Sequence, residues 1–341
     1  MSEKRVPMFP RDGAGSFTLP SLKKGEIKRM VPLGEFMEIY TPEETFKIQS
    51  PESVDPARTN PHAMWVNVKI ADVGSASPIV ARTFIMADDM LRQRFVLKDD
   101  ALIEALLILM HRIKNSLLQC AQVQSDYLTT EKAQADSFSG EGSTASSRAY
   151  SDFPVVPNLE AKATSFLISA RRVITDVCQI PNHFWTLGRT HSGLEHLLDK
   201  ALAPLLGEEH RMVKWFRPMV PAISKIIDFR NGQEHGTTTK ARRLIVKNFA
   251  QLPTNQVHVP IWYLEGDQPA SIANDMPIMT ENLLQLAETM LVACLDANLP
   301  EFPPLIMHTV PEPDPHCPVL YELTIDASRL TFPNAENETA T

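Results

Sequence analysis

Six consecutive residues, Arg230-Asn231-Gly232-Gln233-Glu234-His235, carry side chains of the types that phosphate chemistry needs. Arginine is permanently cationic, and its planar fork grips phosphate oxygens. Histidine titrates near neutrality and can take or give a proton. Asparagine can orient an imidazole or donate to a phosphate oxygen. Together Arg230, Asn231 and His235 suit cleavage of RNA without a metal and without a cofactor. The imidazole would activate a ribose 2′-OH or protonate the leaving 5′-oxygen, while the guanidinium would stabilise charge growing on the phosphoryl group. The product would carry a 2′,3′-cyclic phosphate.

This chemistry depends on backbone geometry. If a helix continues through Gly232, Asn231 and His235 lie four residues apart on one face, with Arg230 on its neighbouring edge. The alternative is a helix that stops at Gly232. The glycine would then take the left-handed position after the helix, Arg230 would complement the helix dipole, and His235 would leave the Asn231 face.

Several helices must position these residues. Pro218 and Pro221 fit the first turn of a helix that buries Met219, Ile223, Ile226 and Ile227 and leads into Arg230. A second helical pattern runs from Asn158, a fitting N-cap, to Cys178, with Pro181 as its stop. Its apolar face is Phe166, Ala170, Val173, Ile174 and Val177, and its polar face is Ser169, Arg171, Arg172 and Asp176. Arg171 and Arg172 could add contacts to an RNA backbone; a solvated helix face is the alternative. A long helix is predicted from Asp99 to about Glu131 by Leu102, Leu106, Leu109, Ile113, Leu117 and Ala121. Others span Ser192–Leu206, ending at Gly207, and Thr280–Asn298, with Leu283, Leu284, Ala287, Leu291 and Cys294 inward.

Strand signals are fewer. Residues 64–71 and 79–86 alternate apolar and polar around a turn-rich segment, which predicts a β-hairpin. Arg243–Phe249, Gln256–Leu264 and Val319–Ile325 also read as strands. Residues 1–60, rich in Pro, Gly, Ser and charge, predict an irregular leader, and 137–158 a flexible loop. The expected fold is mainly α, an antiparallel helical bundle with a small number of accessory strands. Its expected parts are an irregular segment with a hairpin (1–97), a helical domain with a strand insert at 243–264 (98–299) and a C-terminal extension (300–341).

With these residues in place, the chain resembles the HEPN family, the higher eukaryotes and prokaryotes nucleotide-binding helical domains. Their signature is Arg, four to six residues, then His, often with Asn directly after the Arg; here it reads Arg230-Asn231-Gly-Gln-Glu-His235. The Ser169-Ala-Arg171 core of the 166–178 helix is also similar to an early helix of the family. A second pair at the wider spacing, Arg189 and His196, lacks this context. The resemblance implies a HEPN-like bundle over roughly 98–298 and a metal-independent endoribonuclease of the toxin or phage-defence kind. It also implies a homodimer in which two copies of Arg230 and His235 face one cleft. A non-catalytic HEPN-like module that binds nucleotide, RNA or protein is the alternative.

Composition narrows the field. A net charge of −8 excludes a basic field over the whole protein, so any RNA site must be a local patch. The phosphate-cradling glycine loops and the HExxH zinc motif are absent from the sequence. His191 and His196, five apart, would diverge by about 140° on a helix. His308, His316 and Cys317 flank a Pro-rich stretch that favours an extended loop over a zinc site. Four scattered cysteines and a charged N-terminus predict free thiols and a cytoplasmic protein, and the most apolar run, Ala101–Met110, is too short to span a membrane.

Overall fold

The computed structural model describes residues 26–140, 153–188, 192–236, 242–251 and 257–329. The chain divides into two compact units, one of Met1–His111 with Leu295–Thr341, the other of Arg112–Cys294.

The first unit contains an antiparallel four-stranded meander, β1 (Arg29–Leu33), β2 (Phe36–Tyr40), β3 (Thr45–Gln49) and β4 (Val66–Ala71). Gly34, at φ +53°, supplies the left-handed residue of the two-residue turn between β1 and β2. Val31, Leu33, Ile39, Phe46 and Ile48 are buried from the sheet. Within residues 26–60, the irregular leader expected from composition is therefore corrected to three strands. Each strand is only five residues long, so its alternation is overwhelmed by the Pro and Gly between strands. The 1–25 part of that expectation lies outside the described residues.

The second half of the predicted hairpin is also corrected. Residues 66–71 do form β4, but Val80–Ile85 is π-helical and continues into α2 (Met86–Leu91). Val80, Ala81, Phe84, Ile85 and Met86 are all fully buried. Such contiguous burial suits a helix enclosed on all sides, whereas a strand with one wet face would expose alternate residues. The short helix α1 (Pro51–Val54), capped by Ser50, lies between β3 and β4. The hairpin β10 (Leu305–Thr309) and β11 (Tyr321–Ile325) completes the unit, the latter within the predicted last strand.

The helix α3 (Asp100–Gly140) begins in the first unit and runs on into the second, nine residues past its predicted end. Leu106, Leu109, Ile113 and Leu117 are buried as expected, whereas Leu102 is exposed. In the second unit, α4 (Leu159–Val177) buries the predicted face of Phe166, Ala170, Val173, Ile174 and Val177. Asn158 does precede it, at φ +54°, but makes no side-chain cap bond. The predicted third helix is α5 (Leu194–Leu197), a π-turn at Leu198–Leu202 and α6 (Ala203–Leu206), ending at Gly207 with φ +94°. After α7 (Arg211–Phe216) comes α8 (Val220–His235), which packs on α4. The last helix, α9 (Ile272–Asp296), starts eight residues before its predicted beginning. It is long and apolar enough to cross a membrane, but 67% of its apolar window is buried inside the fold, as in a core helix.

A three-stranded sheet, in the order β5 (Leu244–Lys247), β8 (Ile261–Leu264) and β9 (Ala270–Ser271), belongs to this unit, with a two-residue pair, β6 (Ala250–Gln251) and β7 (Val257–His258). Trp262 of β8 is fully buried against Phe229 and Phe166, and its indole donates to Asp275 at 2.8 Å. Eleven strands in four sheets among the described residues overturn the expected mainly α bundle. The chain is a mixed α/β protein, its described residues about 53% helix and 17% strand. The strands β4, β5, β7, β8 and β11 lie within the stretches predicted as strands; the others, of two to five residues, are too short for a period of two to register in the sequence.

Candidate functional site

The helix α8 runs unbroken through Gly232 to His235, so the alternative in which it stops at Gly232 does not hold. Gly232 is buried, and its missing side chain is used for close packing. A Cβ there would lie 2.6 Å from the Arg242 carbonyl oxygen, 2.6 Å from Leu264 Cδ2 and 3.0 Å from the Leu244 amide nitrogen. Glycine thus lets α8 press directly onto the start of β5.

Asn231 and His235 accordingly share an exposed helical face. Arg230 sits at the edge of that face, with its side chain 20% exposed. Between them stands a residue that the sequence reading missed. Glu234 Oε2 accepts from Arg230 Nη1 and lies 3.2 Å from His235 Nε2. One carboxylate oxygen therefore joins the arginine to the histidine. The Arg230 guanidinium beside Glu234 holds its carboxyl below the ordinary glutamate range. The signal was present in the sequence, because Arg230 and Glu234 are four apart and meet on any helix.

The polar face expected on α4 separates into three environments. Ser169 is buried and donates to Gln119 Oε1 at 3.3 Å, so it belongs to the core instead of the solvated face. Arg172 is exposed. Arg171 is half-buried, and its Nη1 is sealed from solvent without a hydrogen-bond partner. Burial lowers the pKa of its guanidinium; the Cys178 sulfur opposes that shift, and the charge of Arg230 adds to it. Asp176, from the same helix, instead bonds Arg112 Nη2 at 2.5 Å.

A cleft of about 550 Å³ opens where α4 begins, α8 ends and β5 starts. Its polar lining includes Glu160, Thr164, Gln233, Glu234 and Arg243, none of which was singled out from sequence. Glu234 belongs both to this cleft and to the Arg230–His235 contact. Arg189 and His191 lie outside the described residues.

The chain was compared with family models, curated proteins and solved structures, and it matches none of them. The HEPN resemblance rests on Arg230, Asn231, His235 and the α4 segment.

Proposed function

We propose that the chain is a metal-independent endoribonuclease of HEPN type. His235 removes the proton from a ribose 2′-OH as that oxygen attacks the adjacent phosphorus. The bond from phosphorus to the 5′-oxygen breaks, and the departing oxygen takes a proton, leaving a 2′,3′-cyclic phosphate. Arg230 bears the charge gathering on the non-bridging oxygens, and Asn231 orients the imidazole or donates to the phosphate. Arg171 and Arg172 supply further phosphate contacts. A homodimer with two such faces across one cleft gives separate imidazoles for the base and acid roles. The biological setting is a cytoplasmic toxin or phage-defence effector. The observation that carries this reading is the unbroken course of α8 to His235, which leaves Asn231 and His235 together on an exposed face beside Arg230.

The test is incubation of the purified chain with single-stranded RNA in EDTA. We expect cleavage to cyclic-phosphate ends, reduced roughly 10²- to 10⁴-fold in both Arg230→Ala and His235→Ala. Intact RNA with salt-sensitive binding would reject cleavage and favour a second reading, a non-catalytic module that holds RNA or nucleotide. The contact of Glu234 with Arg230 favours that second reading, since it occupies the guanidinium a reacting phosphate would need.

A further inference from the structure

The cleft between the start of α4, the end of α8 and β5 holds about 550 Å³, within the range of about 300–1,000 Å³ that small-molecule sites occupy. Three consecutive residues of β5, Leu244, Ile245 and Val246, line it. Successive side chains of a strand point to opposite faces, so three in a row share one cleft only along the edge of the strand. β5 is an edge strand, paired to β8 on one side alone. The cleft thus runs along a wall of peptide groups, which suits a planar ligand that hydrogen-bonds at its rim. Glu160, on the first turn of α4, and Arg243, just before β5, bring opposite charges to the same cleft, and both are exposed. They form no ion pair with each other or with any other side chain among the described residues. The Gln233 amide is likewise unbonded among the described residues. A carboxylate and a guanidinium that line one cleft without meeting suit a ligand with a donor edge and an acceptor edge.

We propose, resting on the reading of Arg230 and His235 as an RNA site, that this cleft is its base pocket and that it takes guanine. The cleft and the Arg230–His235 contact meet at Glu234, so a base in the cleft leaves its ribose and phosphate on the side of His235 and Arg230. Unstacked RNA bases are read by hydrogen bonds along their edges. Guanine alone sets two N–H donors side by side on its Watson–Crick edge, N1–H and N2–H, and a carboxylate accepts both with its two oxygens. Adenine, cytosine and uracil each lack this pair of donors. The O6 and N7 acceptors of guanine together match an arginine fork. Glu160 is thus the acceptor for N1–H and N2–H, and Arg243 the donor to O6 and N7. The peptide edge of β5 is the wall along which the ring lies.

The test is calorimetric titration of the full chain with the nucleoside 3′-monophosphates of guanine, adenine, cytosine and uracil. Ribose and phosphate are common to all of them, so the ratios of affinity report the base alone. Guanosine 3′-monophosphate should bind at least about fivefold more tightly than the others, the scale of one bidentate base contact. Glu160→Gln keeps the shape of the side chain but turns an amide N–H toward the guanine donors. It should weaken guanosine 3′-monophosphate at least about fivefold and leave adenosine 3′-monophosphate within about twofold, a split that a merely structural role would not produce. Arg243→Gln should weaken guanosine 3′-monophosphate by a similar factor. Both positions are exposed and their side chains unbonded among the described residues, so neither substitution threatens the fold. Binding of no nucleotide, equal affinities for all of them, preference for another base, or a guanosine preference that survives in Glu160→Gln would overturn the pocket. The RNA assay in EDTA separates this from failure of the nuclease reading. Intact RNA with a guanosine preference lost in Glu160→Gln rejects cleavage and keeps the pocket. Cleavage that depends on Arg230 and His235, with equal affinities for all the nucleotides, does the reverse.

Discussion

Glu234 changes what the Arg230–His235 pair can be at rest. Its carboxylate accepts from the guanidinium and faces the imidazole, so the pair is already bridged by an anion before any phosphate arrives. The bridge has a titration signature. Arg230 lowers the pKa of Glu234, so the folded state holds this proton less tightly than the unfolded chain does. The stability the contact contributes is therefore fully present above the ordinary glutamate range and lost as pH falls through the lowered value. In a carboxyl-carbon NMR titration, Glu234 should show a midpoint below the ordinary range, and Arg230→Ala should return it upward. An unmoved midpoint in that variant would mean that the contact does not form in solution. This bridge was legible in the four-residue spacing from Arg230 to Glu234. The orphaned nitrogen of Arg171 was not, because a guanidinium on a helix face reads as solvated until the rest of the fold is placed around it.

At the scale of elements, the decisive object is the junction of α8 with β5. Glycine near a helix end ordinarily signals termination, and by local propensity alone Gly232 could have ended α8. Packing reverses that reading. The Arg242 carbonyl and Leu264 come so close that only a residue without a side chain fits, and the helix runs on for another turn. We expect Gly232→Ala to destabilise the protein by about 1–3 kcal/mol in urea unfolding, because overpacking against backbone outweighs the helix-propensity gain of about 1 kcal/mol. A more stable variant would show that β5 yields easily and that the contact does not constrain the helix end. The misread hairpin has a related cause. Ile79-Val80 and Phe84-Ile85-Met86 are contiguous apolar runs that satisfy a buried helix as readily as a strand, and burial on all sides decided for the helix.

At the scale of the whole molecule, the two units differ in their thiols: the second encloses all three of its cysteines, and the first leaves its one partly buried. Cys120, Cys178 and Cys294 are fully buried, and burial pushes the Cys120 and Cys178 thiols up to about 12. Cys294 is pushed well above the ordinary thiol range by the same cause. Cys317 is only partly buried. Thiolate is the reactive species, so Cys317 should be labelled first by a disulfide reagent at neutral pH, and the other three only on unfolding. Equal rates at all four positions would show that the cores open readily. The charge balance acts at the same scale. A chain of net charge −8 has no basic field over the whole protein, so the proposed RNA site needs a local cluster, and Arg171, Arg172 and Arg230 all belong to the second unit.

Taken by itself, the sequence determined the helices with long apolar faces, α3, α4, α8 and α9, because a period of 3.6 sustained over several turns has one economical burial. It also determined that Arg230, Asn231 and His235 are neighbours, since five residues of chain cannot separate them far. Tertiary structure alone decided the rest. The two- to six-residue strands exist because partner strands satisfy their backbone groups, and no local pattern of that length specifies a partner. The course of α8 beyond Gly232 and the enclosure of Arg171 each depend on where a segment distant in sequence comes to rest. Long-range contact, and not residue type, settles whether a polar side chain is solvated, paired or buried without a partner.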